Sequence, residues 1–442
     1  MQGLVRMGHI VVGAPGIDRC HLHDRLFAAL RARSHRVSVL CPDPRAAAFW
    51  RAQGQTIVPL RHYPLHASPD AVGELLASTP PDLRRRLGGA FAAMHGFFAQ
   101  ARPHVLLLHQ DRGVTSRLLQ FAARANGTAV LWTGDGLLPH TLQVDGRGLD
   151  GEASIAQRPA GDFRVVRSDR ALLDACLANA LARTTPFPLP QRTPKPVPWT
   201  DRWHLAWQLA RDGSGLGAAW RSLWPTAAPR LVQAASTVSC ADLLPNRPFV
   251  AVLLQDDDDP RLQFDAAQPP RSHELVQVVH AAAKALDPAM VVLVVTPHAD
   301  TLGARFPGCA VAPASVAIDA AAMATACVTV NHPLASVALL AGTPVLHLGR
   351  ALYGVRGVAT PATLATLPDD LAQALAHDYP TLRQRFLSWV FGHGHVWCSP
   401  SHPAHNGMLG LVQTLENRIQ QPDDDLPPLR YRPGPAWPLA PV

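Results

Sequence analysis

The sequence predicts an α/β protein made of two parallel-sheet halves, and three observations carry that prediction. Short apolar runs alternate with stretches of helical periodicity from His9 to Trp132, and the alternation resumes from Phe249 to Leu348. Strands separated by helices favour parallel pairing, because a crossover needs a helix-length connection. Between the two series, six prolines (186, 188, 190, 194, 196 and 198) fall within thirteen residues, a density that neither a helix nor a central strand tolerates. Apolar residues make up 48% of the 442, enough for sizeable cores, and charged residues only 17%, against about 25% in an average domain.

The elements follow in order. His9–Val12 reads as a strand, Gly13-Ala-Pro-Gly16 as a turn, and His21–Arg33 as a helix with Leu22, Leu26, Phe27 and Leu30 on one face. Arg36–Leu40 is the second strand, Pro44–Gln53 a helix, and Thr56–Leu60 and Val105–Leu108 further strands. A helix over Thr115–Arg124 leads to a strand at Ala129–Trp132 and a turn at Thr133–Gly136. Beyond the prolines, Trp199, Trp203 and Trp207 stand four apart, as the core face of a helix requires. The second series comprises strands at Phe249–Leu254, Met290–Val295, Cys327–Val330 and Thr343–Leu348. Its helices are Ser272–Leu286, Ala317–Ala324 and Leu334–Ala341. Helices at Tyr379–Val390 and Met408–Gln420 precede a Pro- and Asp-rich tail that is expected to be disordered. The resulting domains are 1–185, a linker with Trp-rich helices over 186–245, 246–380, C-terminal helices over 381–421, and the tail 422–442. Two α/β halves across a linker predict a cleft with ligands at the carboxyl ends of the strands.

Composition excludes several classes. Basic residues exceed acidic ones by 7, and Lys occurs only at Lys195 and Lys284. There is no basic run of the kind that marks a nucleic-acid arm, so no nucleic-acid partner is expected. Seven scattered cysteines without a CxxC pair suit a reducing cytosol better than a disulfide framework. No apolar run approaches the roughly 18 residues that cross a bilayer, and residues 1–12 lack a signal-peptide core.

Four stretches carry candidate chemistry. Gln255 and the run Asp256–Asp259, with Arg261, follow a strand; one of these carboxylates held in a cleft could act as nucleophile, base or ligand, and the bland alternative is a solvated acidic loop. His298 also follows a strand, where it could donate to a phosphate or transfer a proton, or simply be structural. Asn331, His332 and Ser336 lie in a strand–loop–helix turn suited to an anion, although Asn331 and Ser336 also fit plain capping roles. Arg350 and Tyr353 follow the next strand. His393, His395, Cys398, His402 and His405 gather imidazoles and a thiol, but their spacing matches no zinc-ligand pattern. No P-loop, HExxH or GxSxG motif is present, and the turn at Gly13 is not a GxGxxG loop.

The order of Leu106–Arg112, Leu131–Gly148, Leu254–Asp259 and Val330–Tyr353 resembles the capsule polysaccharide biosynthesis family, bacterial β-Kdo transferases acting on a lipid acceptor. The resemblance covers Val105 to Gly357. It implies a GT-B-like fold of two Rossmann-like domains facing a cleft, and a glycosyltransferase that moves Kdo from CMP-Kdo to a lipid-linked or glycan acceptor with retention. No cofactor beyond the nucleotide-sugar donor is implied. The location implied is cytoplasmic, peripheral at the inner membrane and near capsule export proteins. It places Asp259, with neighbouring Asp258, at the anomeric carbon, Asp135 on the family's second acid, and His298 on its "K-H-P" histidine. Asn331 and Ser336 lie in its nucleotide-contacting loop, and His332, Arg350, Tyr353, Gln255, Arg261, Arg112 and Gly13 join the substrate set. Four positions depart from the family pattern: Asp135 for Glu, Thr296 for Lys, His332 for Ser and Val337 for Glu. They leave open an altered donor or acceptor, or a catalytically inactive nucleotide-sugar-binding paralogue. A zinc-dependent hydrolase built on residues 393–405 is the remaining alternative.

Overall fold

The computed structural model describes residues 7–15, 20–60, 81–109, 114–182, 244, 247–255, 259, 262, 271–299, 305–398 and 405–420. The chain divides into two compact units: residues 1–134, 187–231 and 397–425 form one, and residues 135–186, 232–396 and 426–442 the other. Each is an α/β unit built on a parallel sheet, the class the sequence predicts.

In the first unit, β1 (His9–Gly13), β2 (Arg36–Leu40), β3 (Val105–His109) and β4 (Ala129–Asp135) lie in the order β4-β3-β1-β2. All three pairings are parallel, with Val11 opposite Ser38 and Leu106, and Leu107 opposite Leu131. The strands are buried almost throughout, which is why they read as continuous apolar runs. Helix α1 (Cys20–Ala32) buries Leu22, Leu26, Phe27 and Leu30, the face its periodicity marked. Helix α2 (Pro44–Ala52) starts where Asp43 accepts from the Arg45 and Ala46 amides at 3.1 and 3.3 Å, with Pro44 preset in its first turn. Gly13 closes β1 where a Cβ would stand 2.8 Å from Leu108 Cδ2 and 3.0 Å from Leu119 Cδ1, so packing alone demands a glycine there.

Three local expectations are corrected. Thr56–Leu60 is not a strand: only Ile57 bridges Val39, because Pro59 lacks the amide that would carry the ladder on. The turn expected at Thr133 begins later, since β4 runs on to Asp135. Helix α3 (Pro81–Ala101) escaped the periodicity reading, its first half being rich in Arg and Gly. The proline linker, the Trp199–Trp207 stripe and the tail lie outside the described residues. Helix α4 (Val114–Ala125) matches its prediction within a residue at each end.

The second unit opens with β5 (Thr141–Asp145) and α5 (Arg170–Ala182), neither of which the sequence pattern singled out. Its main sheet runs β11-β10-β9-β6-β7-β8, with β6 at Phe249–Leu253, β7 at Val291–Thr296, β8 at Ala310–Pro313, β9 at Ala326–Thr329, β10 at Val345–His347 and β11 at Thr360–Pro361. Every pairing is parallel. Helices α6 (Ser272–Leu286), α7 (Ala317–Met323), α8 (Ala335–Ala341), α9 (Leu367–Ala376) and α10 (Pro380–Trp389) follow in sequence. Val250, Val252, Val292, Val294 and Val328 of the sheet pack with Leu275 and Val279 of α6 and Leu367 and Leu371 of α9 in one core. From β6 the chain steps outward to β7 and β8, then returns to β6's other side for β9, β10 and β11. The point where strand order reverses therefore lies between β6 and β9, and Val250 faces both Val292 and Ala326 there. No described helix is long and apolar enough to cross a membrane.

The last helix, α11 (His405–Gln420), belongs to the first unit and is anchored by a buried charge. His35 Nδ1 accepts from the Gly8 amide at 3.1 Å, so its proton sits on Nε2 and is donated to Glu416 Oε1 at 3.1 Å. Arg33 donates to the other carboxylate oxygen at 2.7 Å, and the Glu416 side chain is 1% exposed. Replacing Glu416 by Ala leaves the buried His35 N–H unmatched and is expected to cost about 3 kcal/mol. Urea unfolding of wild type, Glu416→Ala and Glu416→Gln checks this; Gln, which keeps an acceptor, should lose less.

Candidate functional site

The carboxyl ends of β6, β9 and β10 meet at the reversal point of the second unit, and Gln255, Asp259, Asn331, His332, Arg350 and Tyr353 stand there. Thr329 closes β9 with its hydroxyl donated to the Leu253 carbonyl at 3.0 Å, tying the ends of β9 and β6 together. The same oxygen accepts from the His332 amide at 3.1 Å and so sets the loop that follows. Across the reversal point, the Asn331 amide donates to Gln255 Oε1 at 3.4 Å, and Gln255 Nε2 donates to Asp259 Oδ2 at 3.1 Å. Gln255 thus bridges Asn331 and Asp259.

The exit of β10 is fixed by neighbouring strand ends. The Gly349 amide donates to Val330 O at 2.8 Å, and Asn331 Nδ2 donates to the Arg350 carbonyl at 3.4 Å. His347 donates from Nδ1 to Gly349 O at 2.7 Å, and its ring stands edge-on to Tyr353 at 6.0 Å. Tyr353 is fully buried and its hydroxyl donates to His332 O at 2.9 Å. His332 Nδ1 accepts from the Leu334 amide at 3.1 Å, which leaves the neutral ring's proton on Nε2. Arg350 is the exposed cation of the group, with Nη2 3.5 Å from Glu152 Oε1.

Asp135, at the end of β4, begins a loop whose next residues are pinned from both sides. The Leu137 amide donates to His395 Nε2 at 3.0 Å, and the Leu137 carbonyl accepts from Ser336 Oγ at 2.7 Å. Ser336 is fully buried with its hydroxyl committed to this bond, so in this structure its role is to join the Asp135 loop to α8. His298 lies exposed beyond β7, and its amide donates to Thr296 Oγ1 at 3.3 Å. Gly13 belongs to the other unit. Arg112, Asp258 and Arg261 lie outside the described residues.

The histidine cluster resolves into structural parts. His395 opens β12 (His395–Trp397) rather than lying in a loop, and it is buried with Nε2 taken by Leu137. Burial pushes its pKa down to about 3, so the ring is neutral at any ordinary pH. His393 stacks on Trp389 at 6.3 Å and Cys398 is fully buried. Among the described residues no group of three His, Cys, Asp or Glu is placed to hold a metal ion. His402 and the side chain of His405 are not among them.

The sequence reading passed over Asp145, Gly151 and Glu152. Asp145 is buried and accepts from the Arg147 amide at 2.7 Å, the Gly148 amide at 3.2 Å, and the Ser154 amide and hydroxyl at 3.0 and 2.6 Å. Desolvation nonetheless raises its pKa. The signal was present, since Asp before Gly-Arg-Gly is the pattern of an Asx turn.

No family model matches the chain, and no curated protein matches it. Among solved structures, the Thermosulfurimonas dismutans KpsC β-Kdo 2,7 transferase is 12% identical with a TM-score of 0.40, over 92% of this chain and 99% of that one. The glycotransferase of kitacinnamycin is 16% identical with a TM-score of 0.36, over 93% and 99%. CalG4, the calicheamicin glycosyltransferase, is 14% identical with a TM-score of 0.37, over 94% and 99%. At this level of superposition the likeness fixes neither family nor activity, and function is argued from the chain's own residues.

Three buried histidines set a pH dependence. Burial lowers the pKa of His9 to about 4 and of His395 to about 3, and also lowers that of His347. Each binds a proton more readily unfolded, near pH 6.5, than folded. Their contribution is therefore complete above about pH 6.5 and is lost as pH falls toward 4, by up to about 1.4 kcal/mol per pH unit for each group. Asp145, with its raised pKa, acts with the opposite sign and offsets part of the loss. Urea unfolding at pH 7.5 and 5.0 should show the drop, and His395→Gln should reduce its slope.

Proposed function

We propose that the chain is a glycosyltransferase that binds a nucleotide-sugar donor at the carboxyl edge of the second unit's sheet. The donor is CMP-activated Kdo or a related sugar, transferred to a lipid-linked or glycan acceptor with retention. The observation that carries this reading is the gathering of Gln255, Asp259, Asn331 and Arg350 at the reversal point between β6 and β9, where open parallel sheets take their ligands. The motif order that resembles the capsule polysaccharide family, which includes these residues, supports it.

The chemistry follows from the groups present. Asp259, oriented by Gln255, attacks the ketosidic carbon; a carbon–oxygen bond to the carboxylate forms, and the bond to the CMP phosphate oxygen breaks with its electron pair. Arg350 meets the charge that develops on the departing phosphate. A second group, Asp135 or His298, takes the proton from the acceptor hydroxyl. That oxygen then displaces Asp259 from the sugar, and two displacements at one carbon restore the original configuration. Aspartate in place of glutamate at Asp135 draws the carboxylate back by one methylene, which suits a bulkier acceptor or a bridging water.

Calorimetry with CMP, UDP and GDP tests the donor class. CMP is expected to bind at least about tenfold more tightly than the others, a difference of about 1.4 kcal/mol. Asp259→Ala should retain CMP binding and lose transfer from CMP-Kdo. Unchanged turnover in that variant removes Asp259 from the mechanism, and CMP binding without transfer to any acceptor identifies a binding paralogue.

A further inference from the structure

Energetic penalties gather in one short stretch of the second unit, and together they secure the position of one arginine. Asp145 buries a carboxylate whose pKa is raised by desolvation and surrounds it with four hydrogen bonds from residues 147 to 154. Asp150 adopts a left-handed backbone, φ +50°, which costs a non-glycine residue about 1 kcal/mol or more. Its amide donates to Gln143 Oε1 at 3.2 Å, while the buried Gln143 Nε2 has no partner among the described residues. An unmatched buried amide group of this kind costs about 1–3 kcal/mol. A loop held against such costs has its conformation imposed by its surroundings.

What the loop delivers is contact with the exit of β10. Gly151 lies flat on Arg350: a Cβ on residue 151 would stand 2.3 Å from Arg350 Cβ, 2.7 Å from its carbonyl carbon and 2.8 Å from its oxygen. On the other side, Asn331 Nδ2 donates to that same carbonyl at 3.4 Å. The Arg350 main chain is thus held between the Gly151 backbone and the Asn331 amide, and Glu152, next along the loop, meets the guanidinium at 3.5 Å.

We propose that Asp145 is a positioning residue: by clasping residues 147–154 it seats Gly151 against Arg350 and so fixes where that guanidinium stands at the ligand-binding edge. The proposal deepens the functional reading above and rests on its assignment of Arg350 to the donor phosphate. Asp145 touches no ligand itself. Its hydrogen bonds fix the loop, the loop fixes the main chain of residue 350, and a guanidinium that starts from a fixed main chain beside Glu152 meets an anion with less entropy lost.

The experiment uses full-length protein, CMP as probe, and the variants Asp145→Asn, Ser154→Ala, Gly151→Ala and Arg350→Ala. Arg350→Ala should weaken CMP by about tenfold or more, the worth of a charge-assisted hydrogen bond. Asp145→Asn and Gly151→Ala should each weaken it by about fivefold when Arg350 is present, and by less than about twofold in the Arg350→Ala background. Gly151→Ala displaces Arg350 while leaving every Asp145 hydrogen-bonding partner in place, so it separates positioning from general loss of fold. Equal losses in both backgrounds overturn the proposal, as does unchanged CMP affinity in either single variant. Should Asp145→Asn not fold, Ser154→Ala, which removes one hydroxyl, takes its place with a smaller loss and the same dependence on Arg350. A protein that binds none of CMP, UDP or GDP overturns the donor reading alone. Amide hydrogen exchange then decides the clasp: faster exchange over residues 349–354 in Asp145→Asn, with β6 and β7 unchanged, supports it, and unaltered exchange there overturns it.

Discussion

The hydrogen bond from the Thr329 hydroxyl to the Leu253 carbonyl is the constraint on which the second unit's candidate site depends. Parallel strands that diverge in sequence order leave a gap at their carboxyl ends, and nothing in the ladder itself dictates how the emerging chains sit. One buried hydroxyl fixes both. It holds β9 to β6 as donor, turns the chain through the His332 amide as acceptor, and so delivers Asn331 to Gln255. Gln255 then reaches Asp259, and Asn331 reaches the Arg350 carbonyl, so both residues are linked to the same bond.

Around that bond the site is built largely from neutral, buried polar groups. His395 and His347 are held uncharged by burial and each spends a ring nitrogen on one backbone atom, Leu137 N–H and Gly349 O. An uncharged imidazole can order a loop without adding a charge to its surroundings. The charged side chains in that frame, Asp259 and Arg350, meet Gln255 and Glu152 respectively.

Much of this was legible in the sequence because strands buried on both faces read as uninterrupted apolar runs. β2 and α6 have the bounds that periodicity assigns, and β1, β3, β6 and β9 fall within a residue or so. Short or atypical elements escaped. β5 is five residues among Gly and Pro punctuation, β12 is three residues inside a histidine-rich stretch that reads as a loop, and the Arg- and Gly-rich start of α3 hides its period. At the site, strand-end positions placed Gln255, Asp259, Asn331, Arg350 and Tyr353 on one edge without reference to coordinates. The fate of Ser336 was not legible, because its partner Leu137 is 199 residues away and a hydroxyl's partner cannot be read from spacing. The role of His395 escaped for the same reason, because the buried amide it serves is 258 residues off.

The partition of the chain has a consequence for its synthesis. The second unit draws on residues 135–186 and 232–396, so its first portion leaves the ribosome well before the sheet that it packs against exists. Leu137 waits for Ser336 and His395, and Gly151 waits for Arg350. Until β12 is made, the Asp135–Ile155 stretch holds apolar residues such as Leu137, Leu142 and Ile155 with no completed core to enter. A fragment beginning at the second series of strands would lack that stretch altogether, leaving Ser336 and His395 as buried polar groups without their mates. The Pro-rich join thus marks a compositional break in the chain, and cutting there would divide a cooperative unit.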